Sequence, residues 1–248
     1  MEAYTDFAYV YDTMMKDIPY AEWAEYVKTL LQDDKIGKGA TVAELGCGTG
    51  SFTLEMSKLG YTMTGVDISP DMLSVAKSKF EDTEYDKVVF CEQNMTEFEL
   101  PEKADAIVSV CDSVNYLIED GDLDKLFVRV NVNLKSNGSF IVDLKTRFFY
   151  ENVLAYNTMA ENFENCSYIW DNYYHEEERI NEYFLTVFVK EGKLYRKFVE
   201  NHFQRAYEVD DLIEAARKNG FTQIKVYDAF TKEKPGKQSE RVYFVFRR

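Results

Sequence analysis

The chain has 248 residues, 46% hydrophobic and 29% charged, an ordinary globular composition with length enough for one full α/β core and an elaboration. Its 29 Lys and Arg against 44 Asp and Glu give a formal net charge of −15, which repels a phosphate backbone over most of the surface and disfavours a nucleic-acid substrate. The cysteines, Cys47, Cys91, Cys111 and Cys166, have no CxxC metal spacing and no disulfide framework. With no signal-like start and no apolar run of membrane length, the expectation is a soluble, cytoplasmic protein without a structural metal.

Residues 1–35 are rich in aromatics, among them Phe7, Tyr9, Tyr11, Tyr20 and Trp23. Trp23, Val27, Leu30 and Leu31 follow helical spacing, which predicts a helix packed on a sheet. The stretch from Val42 to Gly50 then reads as an apolar strand, a turn with alternating Gly46, Gly48 and Gly50, and a helix marked by Phe52, Met56 and Leu59. Glycine is needed where the backbone takes positive φ or a ligand lies against it, and a helix start offers unpaired N–H groups. Thr62 to Asp67 is a second strand ending in a carboxylate 67 − 46 = 21 residues after the first glycine, where a ribose can be held through its hydroxyls. The dinucleotide pattern G-x-G-x-x-G requires glycine at 51, but this chain has Ser51 with Gly50 one place early, so a nicotinamide cofactor loses ground.

The pattern E-x-G-x-G-x-G followed by a strand-end Asp resembles the S-adenosylmethionine-dependent methyltransferase family with the Rossmann-like fold, and the resemblance spans most of the chain. It implies that Gly46, Cys47, Gly48 and Gly50 lie under the amino-acid and ribose parts of the cofactor. Asp67 would hold the ribose hydroxyls with Ile68 and Met72 beside it, and Glu44 would reach the methionine amino group through water. The setting Phe7-Ala8-x-x-Tyr11-Asp12 resembles the N-terminal segment that folds over the cofactor in small-molecule members. Tyr11 and Trp23 are then cofactor contacts and 1–35 a helical lid, aromatic faces being suited to a sulfonium.

Ser69 suits an N-cap and Pro70 the first turn of a helix running to about Phe80. Val88 to Cys91 reads as the third strand, and Asn94-Met95 falls where family members place a polar residue and an apolar neighbour against the adenine. Asp105 to Val110 is a fourth strand buried on both faces, leaving through Cys111 to Tyr116 at the carboxyl end of the sheet, where open α/β folds bind ligands. The family places the transferring methyl here, which counts Cys111 among the cofactor contacts; Asp112 is a candidate either for capping the next turn or for catalysis. The Asn/Asp-Pro-Pro-Tyr element that resembling enzymes use on base amines or glutamine amides is absent.

Leu123, Leu126, Phe127, Val130 and Leu134 predict a helix over 121–134 stopped by Asn137-Gly138, and Ser139 to Leu144 is the fifth strand, with Asp143 a candidate substrate ligand. Tyr168 to Tyr174, Arg179 to Lys190 and Lys193 to Arg205 are strand-like. A two-residue turn at Glu191-Gly192 would pair Val189 with Leu194, Leu185 with Phe198 and Asn181 with His202. This predicts an antiparallel insertion after strand five, serving as the roof of a substrate chamber or as a dimerisation surface. Val209 to Asn219 with Gly220 is the last helix, and Thr222 to Tyr227 and Arg241 to Phe246 are closing strands. The expected architecture is α/β, a seven-stranded Rossmann-like sheet with helices on both faces. Residues 36–149 and 206–248 would be its core and 150–205 the insertion.

The function expected is methyl transfer from S-adenosylmethionine to an oxygen or nitrogen of a small molecule. His202 shares a strand face with Phe198, Glu200 and Gln204 and is a candidate base, with Tyr11 closing from the other side. His175 precedes Glu176-Glu177-Glu178 and reads as a solvated turn. A protein or RNA methyltransferase, an NAD-dependent oxidoreductase and a non-catalytic cofactor-binding module are the alternatives, and monomer and homodimer are both open.

Overall fold

The computed structural model describes residues 3–81, 83–85 and 87–248. Helices α1 (Ala3–Met14) and α2 (Tyr20–Asp33) precede β1 (Thr41–Leu45), α3 (Ser51–Lys58), β2 (Thr62–Asp67), α4 (Pro70–Phe80), β3 (Val89–Glu92) and β4 (Ala104–Ser109). After a 3-10 turn at Ser113–Tyr116 come α5 (Asp122–Asn133) and β5 (Leu134–Lys145). A π-helical turn at Phe149–Leu154 leads into β6 (Thr158–Asn162), β7 (Cys166–His175), β8 (Ile180–Glu191) and β9 (Leu194–Arg205), and α6 (Val209–Lys218), β10 (Gln223–Asp228) and β11 (Arg241–Arg247) close the chain.

Seven strands form one sheet in the order β10-β11-β5-β4-β1-β2-β3. β11 runs antiparallel to both its neighbours, whereas β1 to β5 pair in parallel. Side-chain alternation divides the strands between two cores. Leu45, Ile107, Phe140, Val142 and Phe244 pack with Phe127, Val130 and Leu212 of α5 and α6. Val42, Val108, Ile141 and Tyr243 pack with Val27, Leu31, Phe52 and Met56 of α2 and α3. Both faces are thus covered by helices, as the near-continuous apolar strands require. The second sheet has order β6-β7-β8-β9 and follows β5 in the chain.

Three local expectations are corrected. The helix expected over 121–134 forms as α5, but Asn137-Gly138 is not its stop: it ends at Asn133, whose buried side chain accepts the Leu100 N–H (2.8 Å) and donates to the Phe98 and Arg129 carbonyls. Residues 135–138 instead bulge from β5, since Ala104 opposes Leu134 but Ala106 opposes Ser139. Gly138 is needed there because a Cβ would stand 2.9 Å from the Asp105 carbonyl oxygen. The hairpin turn is Gly192-Lys193 rather than Glu191-Gly192, so Val187 faces Phe198, Leu185 faces Glu200 and Tyr183 faces His202. Gly192 takes φ +64° as the first central residue, the position at which a type II′ turn requires it. The displacement is two residues, so every side chain keeps its face. Finally the insertion has a fourth strand, β6, whose Thr-Met-Ala-Glu-Asn has little intrinsic strand preference and forms by pairing with β7.

Candidate functional site

The glycine loop joins β1 to α3 with Gly46, Gly48 and Gly50 all at positive φ. Their reasons differ. A Cβ on Gly46 would stand 2.6 Å from Ser113, so this glycine lets the loop abut the turn after β4; one on Gly50 would press on Ala76 and Phe80 of α4. Gly48 has no heavy atom within 4 Å of such a Cβ, so its bare backbone faces open space. Asp67 at the end of β2 accepts the Gly48 N–H at 2.7 Å and the Ser69 N–H at 2.9 Å, one on each oxygen, and each oxygen keeps a lone pair for a ligand hydroxyl. Burial raises its pKa against the backbone N–H groups of Ser69, Gly48 and Ile68. Glu44 is buried behind the loop with the Thr53 hydroxyl donating to it, and burial pushes its carboxyl up to about 8.

Helix α1 lies against this loop. Asp12 accepts the Thr49 hydroxyl at 2.6 Å and pairs with Lys79 of α4 at 2.7 Å, and Lys79 also reaches the Ser51 hydroxyl. One residue earlier Tyr11 packs edge-on to Phe7 and lies near Tyr20, both phenols standing near Cys111. Burial raises all three pKa values, so the tyrosines are neutral donors rather than bases. Met72, like Tyr11, packs against the cluster that holds Phe7 and Val10, Cys47 is buried in the loop, and Ile68 is exposed beyond Asp67. Asn94 spends its side-chain oxygen on the N–H and hydroxyl of Thr96 at 2.9 Å each, which leaves its amide nitrogen for a ligand. Met95 directs its methyl toward Gly46. Trp23 stands apart: its ring lies against Phe230 and under the Arg241 guanidinium (5.0 Å).

The chain leaves β4 through Cys111 at φ +60° and Asp112 at φ +55°, two successive non-glycine residues in the left-handed region, a conformation that surrounding structure must enforce. A buried polar network enforces it. The Asp112 N–H donates to Asp143 (2.8 Å), and the Asp112 carboxylate accepts from Arg241 (2.7 Å) and Gln204 (2.8 Å), with Lys145 at 3.4 Å. Arg241 also pairs with the fully buried Asp143 at 2.5 Å, and Gln204 accepts from the hydroxyls of Tyr150 and Tyr183. Burial pushes Asp112 up, but Lys145 and Arg241 outweigh it and hold the carboxyl below its ordinary value, which makes it a weak base. Its side chain does not cap the following turn. Asp143, expected as a substrate ligand, is instead enclosed and committed to Arg241. Beside this clamp a cavity of about 280 Å³ opens among Lys145, Phe149, Asp228, Phe230 and Arg241.

The inserted sheet faces the clamp through β9. His202 lies within 5.6 Å of the Phe7 ring and 5.9 Å of the Tyr116 ring, and burial lowers its pKa, keeping the imidazole neutral. His175 is exposed and 3.5 Å from Glu182. The sequence marked Tyr20 only as one of several aromatics and Gln204 only as a neighbour on the His202 face, and it gave Lys145 and Arg241 no role in the site. The only signal for Arg241 was a cation at the start of an apolar strand.

Residues 36–201 match the family model described as a methyltransferase domain. A protein of Geobacillus sp. (strain WCH70) named as a methyltransferase is 34% identical over 244 residues, 98% of each chain. The chain belongs to the S-adenosylmethionine-dependent methyltransferase family. Among solved structures, an S-adenosylmethionine-dependent methyltransferase from Clostridium acetobutylicum superposes on this methyltransferase with TM-score 0.86 at 27% identity, covering 98% of each chain. The sugar N-methyltransferase KedS8 from Streptoalloteichus sp. shares the fold at TM-score 0.78 and 16% identity, over 97% of this chain and 92% of that one.

Proposed function

We propose that this methyltransferase acts on an oxygen or nitrogen of a small molecule bound between the turn after β4 and the inserted sheet. The observation that carries this reading is the hydrogen bond from Gln204 of β9 to Asp112, which ties the sheet to that turn and favours an enclosed chamber over an open groove. That KedS8, similar in fold over 92% of its length, is a sugar N-methyltransferase supports a compact polar acceptor.

The residues present fit S-adenosylmethionine. The open face of Gly48 admits a ligand against the backbone, Asp67 has spare lone pairs for two ribose hydroxyls, and the buried carboxyl of Glu44 suits an ammonium group. Asn94 and Met95 would meet the adenine, with Ile68 and Met72 flanking the ribose. Tyr11, with α1 and α2 as lid, would cover the sulfonium beside Cys111. We assign Trp23 to the support of Arg241. Bound there, S-adenosylmethionine supplies an electrophilic methyl group: the acceptor lone pair forms the new bond as the carbon–sulfur bond breaks and its electron pair returns to sulfur. The chain holds the two reactants in line, which accounts for on the order of 7–11 kcal/mol of barrier in favourable cases. His202, neutral and facing the chamber, takes the acceptor's proton where one must leave. Release of S-adenosylhomocysteine from a metabolite pool tests this function: turnover with small molecules is expected, and turnover with protein or RNA alone would refute it.

A further inference from the structure

Seven buried polar atoms on one face of the inserted sheet have no hydrogen-bond partner among the described residues: Trp170 Nε1, Asn172 Oδ1, the Tyr174 hydroxyl, Asn181 Nδ2 and Oδ1, Glu200 Oε1 and His202 Nε2. Buried polar groups are ordinarily paired, and each orphan costs folding free energy, so seven on one sheet face ask for an explanation, and the one carboxylate among them asks most. The register shows how they are ordered. Trp170 opposes Leu185 and Leu185 opposes Glu200, forming one row across β7, β8 and β9; His202 stands in the next row and Gln204, the clamp, in the one after. Along β9 the inward residues therefore run from the turn after β4, through the imidazole, to the carboxyl of Glu200.

Glu200 is the most demanding of these residues, being the only carboxylate among them. It is 5% exposed, it has no salt-bridge partner among the described residues, and burial pushes its pKa up, with no cation or donor among the described residues to offset it. The side chains beside it on the same face, Leu185 and Val187, are apolar. A hydroxyl satisfies one lone pair of such a group but leaves its charge desolvated, whereas an ammonium group supplies both a donor and the opposite charge.

We propose that Glu200 binds a protonated amine on the methyl acceptor, with the Trp170 indole N–H and the His202 imidazole meeting its other polar groups. The substrate class is then a cationic, amine-bearing polar small molecule. This rests on the reading of the chamber as the acceptor site. The chain's net charge of −15 favours the approach of such a molecule.

The test divides a bacterial metabolite extract at pH 7 on a sulfonate cation exchanger and supplies the retained and unretained fractions with S-adenosylmethionine and the enzyme. Turnover, read as S-adenosylhomocysteine release, is expected in the retained fraction, with a loss of at least tenfold in Glu200→Gln and S-adenosylhomocysteine affinity held within twofold. Turnover confined to the unretained fraction overturns the amine while leaving the proposed function standing. Turnover in neither fraction, with the cofactor product still bound, overturns both. Retained-fraction turnover undiminished in Glu200→Gln removes Glu200 from acceptor binding. A second measurement needs no substrate: if the carboxyl serves a ligand and not the fold, Glu200→Leu melts at or above the wild-type temperature, and melting below it for both variants shows a structural member of the sheet and overturns the proposal.

Discussion

Replacing Arg241 with methionine keeps most of the side-chain bulk over Trp23 but removes the charge that Asp112 and Asp143 share. The Arg241 side chain is 15% exposed, Asp112 13% and Asp143 0%, so solvent offers little compensation. Asp112 retains Lys145 and Gln204, but among the described residues the Asp143 carboxylate keeps only the Asp112 N–H. Stranding one member of a buried ion pair costs about 3–5 kcal/mol. For a chain of this size each kcal/mol moves the melting temperature by roughly 2–4 °C, so a fall of about 6–20 °C is expected at pH 8. Burial already raises the Asp143 pKa, and loss of Arg241 raises it further, so the variant regains stability on acidification as Asp143 takes up a proton. Thermal and urea melts at pH 5 and pH 8 measure both effects. A loss under about 1 kcal/mol at pH 8, or one equal at the two pH values, would falsify the assignment of Arg241 as the counter-ion of a buried carboxylate. Adding Asp143→Leu to Arg241→Met should recover most of the lost stability, because an apolar pair in place of a buried ionic one is often neutral or better.

Asp67→Ala should weaken S-adenosylhomocysteine binding at least a hundredfold by calorimetry with the far-ultraviolet spectrum unchanged, because two ribose hydroxyls lose their acceptor; unchanged affinity would defeat the ribose assignment. Gly48→Ala meets nothing within 4 Å, so its stability loss should be confined to the roughly 1–2 kcal/mol of left-handed strain while cofactor affinity falls by more than tenfold. Glu44 holds its proton up to about 8 when folded and only to about 4.3 when unfolded. The folded chain thus binds more protons between those values, and stability falls as pH rises through that window. Glu44→Gln should lose stability less steeply from pH 5 to pH 8 than the wild type, and parallel slopes would contradict the raised pKa. Once an acceptor is known, His202→Asn should lower turnover at neutral pH while cofactor binding stays intact; full activity from pH 6 to 9 would leave His202 as chamber wall.

The glycine loop, the strand ending in Asp67 and the amphipathic α5 were legible because each is set by a local rule: positive φ, βαβ spacing or helical period. The Ser69 cap was legible for the same reason, its hydroxyl accepting the Met72 N–H at 3.2 Å. The clamp was not legible, since Asp112 and Arg241 lie 129 positions apart and no local pattern distinguishes a buried arginine at a strand start from a solvated one. Asn137-Gly138 misled because the pair favours a turn wherever it falls, and the true helix stop was an asparagine whose partners come from the loop before β4. The hairpin turn slipped because Glu191-Gly192 and Gly192-Lys193 differ only in which central position the glycine occupies.

The two covers of the chamber are held by bonds of different kinds. The inserted sheet is joined to the core by an amide–carboxylate bond inside the protein, reinforced where Asn115 donates to the carbonyls of Lys145 and Arg205. Helix α1 is held at Asp12 by an ion pair with Lys79 whose side chains are 38% and 20% exposed, within reach of water and salt. Traffic of cofactor and product should therefore pass on the α1 side while the sheet stays in place. Raised ionic strength would then hasten product departure without loosening the fold, and a bulky fusion ahead of α1 would alter exchange rates more than melting temperature.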